Sequence, residues 1–329
     1  MKSKKILIIR FSSIGDIVLT TPVIRCLKLR QPDTEIHYLT KKAFKGILEH
    51  NPYLHKIHTI EKDVKEISPI LKKENFDFVV DLHNNIRSMQ IKWALGKSSS
   101  SFKKLNFKKW LLVNFKINIL PATHIVDRYL QTVEQLGIKN DLQGLDYFIP
   151  QQDEVNSATL PKFLQSGYIG FVIGAKHFTK QLPTEKIVSI CEKLNSPVIL
   201  FGGKEDEKKA NDIIAHLSTT TSQLVYNACG KYNLNQSASL IKQATKIISH
   251  DTGLMHIAAA LKKEVISVWG NTVPDFGFGP YLPDKKSRIV EVKGLSCRPC
   301  SKIGYNKCPK GHFKCMMLID ENDLINTSS

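Results

Sequence analysis

Lys5-Ile6-Leu7-Ile8-Ile9-Arg10-Phe11-Ser12-Ser13-Ile14-Gly15-Asp16 is the stretch that decides the fold. Ile6–Ile9 is an unbroken apolar run, the pattern of a strand buried on both faces of a parallel sheet. Small residues and a glycine follow, then an acid, and Ile17–Leu29 carries helical periodicity. A strand that passes through a small-residue turn into a helix sets backbone N–H groups and a helix N-terminus at the end of a sheet. That corner is where α/β proteins bind phosphorylated ligands. An acid there would repel phosphate, so Asp16 points to chemistry; the alternative is that it caps the helix at Ile17.

The same rhythm continues downstream. Strands are expected at Lys5–Phe11, Glu35–Thr40, Lys56–Ile60 and Phe76–Leu82. Helical patterns lie between them at Ile17–Leu29, Lys41–Glu49, Val64–Glu74 and Ile86–Leu95. Thr123–Leu136 reads as a further helix, ended by Gly137. Asn140–Ser166 is polar, holds Pro150 and Pro161, and reads as a linker or domain edge. The rhythm restarts with strands at Tyr168–Ile173, Pro197–Phe201, Lys246–Ser249 and Glu264–Trp269. Helices are expected after Pro183 and at Glu205–Leu217, Leu234–Ala244 and Leu254–Leu261. The expectation is therefore α/β, with two doubly wound domains at 1–160 and 161–329, the second ending in a Cys-rich tail. Ligands of such sheets bind at the C-terminal ends of the strands, and two facing domains would leave a cleft there.

The chain has 329 residues and a formal charge of +17, from 47 Lys and Arg against 30 Asp and Glu. Divided at residue 160, the halves hold 25 against 16 and 22 against 14 such residues, so both are basic. Spread charge of this kind favours anionic partners: nucleic acid, an anionic membrane face or phosphorylated substrates. Arg10 interrupts the first apolar run after four residues, and no run approaches the ~20 apolar residues of a membrane span. A cytoplasmic protein, peripheral to a membrane, is the expectation. Its seven cysteines then read as thiols or metal ligands rather than a disulfide framework.

Four turns carry the candidate chemistry. His250-Asp251-Thr252-Gly253 lies between a strand and an alanine-rich helix; Thr252 offers a hydroxyl and Gly253 a close backbone approach. His256 lies about one turn into that helix. The alternative is that Asp251 or Thr252 simply caps the helix. Gly202-Gly203-Lys204-Glu205 places an acid where dinucleotide folds contact a ribose, or where a first-turn Glu complements the helix dipole. Lys180 can neutralise a diphosphate or be an ordinary surface lysine. Asp81-Leu82-His83-Asn84-Asn85-Ile86-Arg87-Ser88 ends a first-half strand, and Arg87 can hold an acceptor carboxylate or phosphate through its planar fork, or be an ordinary surface arginine on a helix. No Walker loop and no G-x-G-x-x-G follows a strand, which argues against a P-loop ATPase or a nicotinamide enzyme.

These residues resemble glycosyltransferase family 9, the ADP-heptose:lipopolysaccharide heptosyltransferases. The resemblance rests on Ile9–Asp16, Asp81-Leu82 with Arg87-Ser88, Lys180 with Pro183, Gly203 with Glu205, and Asp251-Thr252-Gly253 with His256-Ile257-Ala258-Ala259. It implies a GT-B fold, two Rossmann-like domains facing across a cleft, with the acceptor on the first and the nucleotide sugar on the second. It further implies inverting transfer without a catalytic metal or cofactor. Asp16 matches the general base, Arg87 lies on the acceptor side, and Ser13, Gly15, Lys180, Glu205, Asp251, Thr252, Gly253 and His256 fall on the donor side. Leu182 stands where family members often carry Trp before Pro183, which leaves the donor less defined than the reaction. The implied partners are ADP-heptose and a lipid-linked saccharide acceptor on the cytoplasmic face of an inner membrane, met by a monomer.

Two features stand apart. Lys97, Lys103, Lys104, Lys108, Lys109 and Lys116 alternate with Phe102, Phe107, Trp110 and Phe115 without an acid, which suits an anionic membrane surface. A charged face over an ordinary core contact is the alternative. Cys297-x2-Cys300-x7-Cys308-x6-Cys315, with His312, has the ligand count of a structural zinc site, although buried thiols fit as well. A sugar-nucleotide epimerase of the same architecture is one rival reading. A basic nucleic-acid-binding protein with a four-cysteine zinc module is the other, and it is disfavoured because no nucleic-acid module is recognisable.

Overall fold

A computed structural model describes residues 4–325. The described residues form two compact units, one of residues 4–105 and 123–148, the other of residues 106–122 and 149–325. The second unit thus includes residues 106–122, an excursion from the first half of the chain.

In the first unit, β1 (Lys5–Ile9), β2 (Glu35–Lys41), β3 (Lys56–Ile60), β4 (Phe78–Asp81) and β5 (Ser99–Ser101) form one parallel sheet in the order β3-β2-β1-β4-β5. The apolar run Ile6–Ile9 is fully buried, as its composition requires of a central strand. Strand order reverses between β1 and β4, where Ile9 lies level with Asp81. In the second unit, β6 (Ile169–Val172), β7 (Val198–Phe201), β8 (Val225–Asn227), β9 (Lys246–His250), β10 (Glu264–Trp269) and β11 (Arg288–Glu291) are also all parallel, in the order β11-β10-β9-β6-β7-β8. Here the switch falls between β6 and β9, with Val172 level with Ser249. Both sheets follow the Rossmann pattern, in which ligands bind beyond the strand ends at the switch point.

The expected helices Val64–Glu74 and Ile86–Leu95 form with those bounds. Asp63 caps the first through the Lys65 N–H, and Asn85 caps the second through the Ser88 N–H. Three expectations are corrected. Ile17–Leu29 is not continuous: a short helix Ile14–Val18 ends at Leu19, and Thr21–Arg30 restarts with Pro22 in its first turn. Lys41–Glu49 holds only a 3-10 helix, Lys42–Ile47, and Thr123–Leu136 divides into Ile125–Leu130 and the 3-10 segment Gln131–Leu136. Strands β5, β8 and β11 were not foreseen. They are short edge strands, and Ser99–Ser101 has no apolar residue to announce it.

Candidate active site

At the switch point of the first unit, the turn after β1 builds an ion pair. Arg10 is buried, and its guanidinium donates to the Leu82 carbonyl (2.7 Å), the Ser12 carbonyl (2.8 Å) and the Tyr129 hydroxyl (2.9 Å). Its remaining Nη2 meets Asp16 Oδ1 at 2.6 Å. Burial alone would lower the Arg10 pKa; Asp16 with the phenols of Tyr129 and Tyr38 more than reverses this, so the guanidinium stays charged. Asp16 Oδ2 accepts from the Ser13 hydroxyl (2.8 Å) and the Ser13 N–H (3.1 Å). The carboxylate therefore serves the helix N-terminus and the arginine together, and keeps 23% of its surface exposed. Gly15 lies buried in the same short helix.

Next to this turn, Asp81 closes β4 as a fully buried carboxylate. It accepts from the His83 N–H (3.0 Å), the Asn84 N–H (2.7 Å) and the Ser88 hydroxyl (2.8 Å), and pairs with Lys92 Nζ at 3.2 Å. It is a structural anchor that holds the loop leading to Arg87. Arg87 is half-buried at the start of the following helix, and no described side chain pairs with its guanidinium. His83 packs edge-on to Phe11, with ring centroids 4.9 Å apart. Burial and then the charge of Arg10 push its pKa down to about 4, so it is neutral at physiological pH.

The switch point of the second unit carries a second pair. Lys180 Nζ meets Asp251 Oδ2 at 2.5 Å, and the Thr272 hydroxyl donates to the same oxygen at 3.1 Å. Thr252 is the N-cap residue of the helix Gly253–Ala260, and its hydroxyl lies 3.5 Å from that of Ser249. Gly253 opens the helix and His256 is buried one turn on. His250, fully buried, accepts the Leu182 N–H on Nε2 at 2.9 Å. Burial drives its pKa down to about 3, which keeps that lone pair available.

Lys180, Asp251, Thr252, Gly253 and His256 are thus gathered at one sheet end. Glu205 is exposed beyond β7, and no described residue ties it to this group. Its neighbour Asp206 does the structural work: buried, it accepts the Gly203 N–H at 2.9 Å, and a side chain at Gly174 would collide with its carboxylate. Sequence reasoning missed Asp206, although an acid three residues after Gly203 is a capping pattern. Tyr129 and Thr272 had no sequence signal.

The Cys-rich segment braces this site. The Thr179 N–H donates to the Tyr305 carbonyl (3.1 Å), the Tyr305 N–H to the Thr179 hydroxyl (2.8 Å), and the Cys300 N–H to the Asn271 carbonyl (3.2 Å). Arg298 reaches the Gly270 and Thr272 carbonyls and Glu291. Cys297 Sγ lies 3.9 Å from His312 Nε2. Among the described residues, metal-ligand spacing is met by two groups of histidines and glutamates elsewhere, and not by the cysteines.

The comparisons with known proteins agree with this geometry. The family model for glycosyltransferase family 9 (heptosyltransferase) matches residues 66–308. Lipooligosaccharide heptosyltransferase 2 of Haemophilus influenzae is 26% identical over 322 residues, covering 91% of this chain and 92% of the relative. A family 9 glycosyltransferase structure from Veillonella parvula superposes with a TM-score of 0.78 at 22% identity, covering 99% of this chain and 96% of that one. The E. coli ADP-heptose lps heptosyltransferase II structure gives 0.73 at 22% identity, covering 98% and 96%. These likenesses establish the GT-B fold. With the family model spanning well over half of a chain whose two sheets each present a charged pair at the switch point, the protein belongs to glycosyltransferase family 9 and is a glycosyltransferase.

Proposed function

We propose that this enzyme moves a heptose from ADP-heptose to a saccharide acceptor of the lipopolysaccharide core, inverting the anomeric carbon in one displacement. The observation that carries the reading is the pairing of Asp16 with a fixed, buried Arg10 at the first switch point. The arginine keeps the carboxylate oriented, and Asp16 takes the proton from the acceptor hydroxyl as that oxygen bonds to C1. The bond from C1 to the diphosphate breaks, and ADP leaves with the bonding electrons. Lys180 and the N–H groups at Thr252 and Gly253 then stabilise the developing diphosphate charge. An arriving diphosphate competes with Asp251 for the Lys180 ammonium, while Thr272 keeps a hold on the released carboxylate. Glu205 and His256 take ribose or base contacts, Ser13 and Gly15 line the donor's approach to Asp16, and Arg87 holds an acidic group of the acceptor. The test is incubation with ADP-heptose, UDP-glucose and GDP-mannose, each with a lipopolysaccharide-core acceptor. Product formed from ADP-heptose with inverted anomeric configuration is expected. Retention, or turnover only with another nucleotide sugar, would overturn the reading.

In this proposal the acceptor is lipid-linked and the enzyme, taken as a monomer, meets it at the cytoplasmic face of an inner membrane. No described helix is long and apolar enough to cross a membrane. The support is the helix Asn106–Phe115, which buries Leu112 and leaves Phe107, Trp110 and Phe115 outside. Phe107 stacks on Trp110 with ring centroids 6.2 Å apart, and Phe115 meets Trp110 edge-to-face at 5.2 Å. Lys109 and Lys116 are engaged within the fold, one over the Phe276 and Phe278 rings and the other on the Val113 and Pro299 carbonyls. The exposed aromatics, rather than these two lysines, therefore make the membrane contact. Trp110→Ser is expected to weaken flotation with phosphatidylglycerol vesicles; flotation equal to wild type would remove this surface from the proposal.

A further inference from the structure

A polar cluster lies at the opposite end of the first unit's sheet from Asp16, where β1, β2 and β3 begin. His37 Nε2 and His55 Nε2 each lie 3.7 Å from Glu35 Oε2, and the two imidazole centroids are 5.3 Å apart. All three ligand atoms fall within 4.8 Å of one another. His37 is 1% exposed, and its Nε2 has no hydrogen-bond partner. Its other nitrogen, Nδ1, lies 2.9 Å from His58 Nε2. When His37 donates its Nδ1–H to His58, its Nε2 lone pair faces Glu35 and His55. Left alone, a buried imidazole lone pair beside a carboxylate is unfavourable. A cation between them would engage all three.

We propose that Glu35, His37 and His55 bind a divalent transition-metal ion, with His58 as the outer partner that orients His37. Two imidazoles and one carboxylate form a ligand set that zinc-type ions use with water in the remaining position. Metal–ligand bonds of about 2.1 Å in tetrahedral geometry put ligand atoms ~3.4 Å apart. The two 3.7 Å separations need only a small closure, which the Glu35 and His55 side chains, 27% and 56% exposed, can supply. Lys5 already pairs with Glu35 at 3.2 Å, and Lys56 pairs with Glu74 at 2.6 Å. Those lysines offset the two carboxylates, so affinity has to come from the imidazoles. The site therefore selects Zn²⁺, Cu²⁺, Ni²⁺ or Co²⁺ over Mg²⁺ and Ca²⁺. It is remote from Asp16 and independent of the transfer reaction.

The test uses chelator-stripped full-length protein titrated with Co²⁺ under reducing conditions. Imidazole–carboxylate ligation is expected to give visible absorption without the near-ultraviolet charge-transfer band that thiolate ligation would add. His55→Gln is expected to weaken the Co²⁺ affinity read from the visible band at least tenfold while the metal-free protein melts as wild type. Glu35→Gln serves as the second variant with the same expected loss, and His50→Gln as a control that binds as wild type. No visible band, or a band that survives unchanged in both His55→Gln and Glu35→Gln, would overturn the proposal.

Discussion

The two switch points hold the same chemical pair in opposite arrangements. In the first unit the cation is a buried arginine, tied to three oxygens besides its carboxylate, and Asp16 sits at the rim. In the second unit the carboxylate is the better-anchored partner, since Asp251 also accepts from Thr272, and the cation is a flexible lysine. Arginine is a rigid fork that does not give up its proton, whereas lysine is a point charge on a mobile stem. The first pair can therefore present a carboxylate in a constant pose, and the second can release a cation to an incoming anion. This division suits a base on one unit and an electrostatic clamp on the other.

The contrast can be broken at several points. The largest effect is expected from Asp16→Asn, which keeps the shape and the Arg10 hydrogen bond and removes the basic oxygen. Turnover should fall by ~10²–10⁴-fold with ADP-heptose affinity nearly unchanged; near wild-type turnover would reduce Asp16 to a helix cap. Arg10→Met should next cost about 3 kcal/mol in denaturant unfolding, because it orphans Asp16 and the Tyr129 hydroxyl. An unchanged midpoint would show that the arginine anchors nothing. Lys180→Met should weaken ADP binding by ~1.5–3 kcal/mol, as calorimetry would report, without a comparable loss of stability. The opposite outcome, lost stability with intact ADP binding, would make the second pair structural like the first.

The smallest effect at neutral pH concerns the two buried histidines, one in each unit. His83 and His250 have folded pKa values near 4 and 3, below the ordinary value, so the unfolded chain binds more protons than the folded one at acid pH. Stability is therefore highest above about pH 6.5 and falls as the pH drops through 6.5 towards 4, by up to ~1.4 kcal/mol per pH unit for each histidine. His250→Gln, which can still accept the Leu182 N–H, should make this acid slope shallower. An unchanged slope would assign the acid sensitivity to other groups.

How much of this was legible in the sequence depended on the range of the interaction. Ile6–Ile9 announced a central strand because a buried strand must be apolar on both faces, and Ile86–Leu95 announced a helix by its period. Ser99–Ser101 and Val225–Asn227 did not, since an edge strand of three residues is held by the pairing of its neighbour rather than by its own side chains. The 3-10 geometry of Lys42–Ile47 was equally invisible. Asp16 was legible as an acid in an unusual place. That Arg10 would hold it was not, because Arg10 is fixed by Leu82 and by Tyr129, 119 positions away. Lys180 and Asp251 were each picked out, yet their ion pair follows only from β6 and β9 lying side by side. Glu205 drew attention by its position in a turn, whereas its neighbour Asp206, the buried anchor of that turn, did not.

The bracing of Thr179 by Tyr305, and of the Gly270–Thr272 loop by Arg298, has a consequence for synthesis. The turn that carries Lys180 is translated long before the segment that holds it in place. On the ribosome the first unit can form while the second lacks this bracing, so the proposed donor site is supported only once residues 298–305 have emerged. A stop codon shortly before Cys297 would leave every proposed donor residue in the product and still remove the scaffold that positions Lys180 and Thr272.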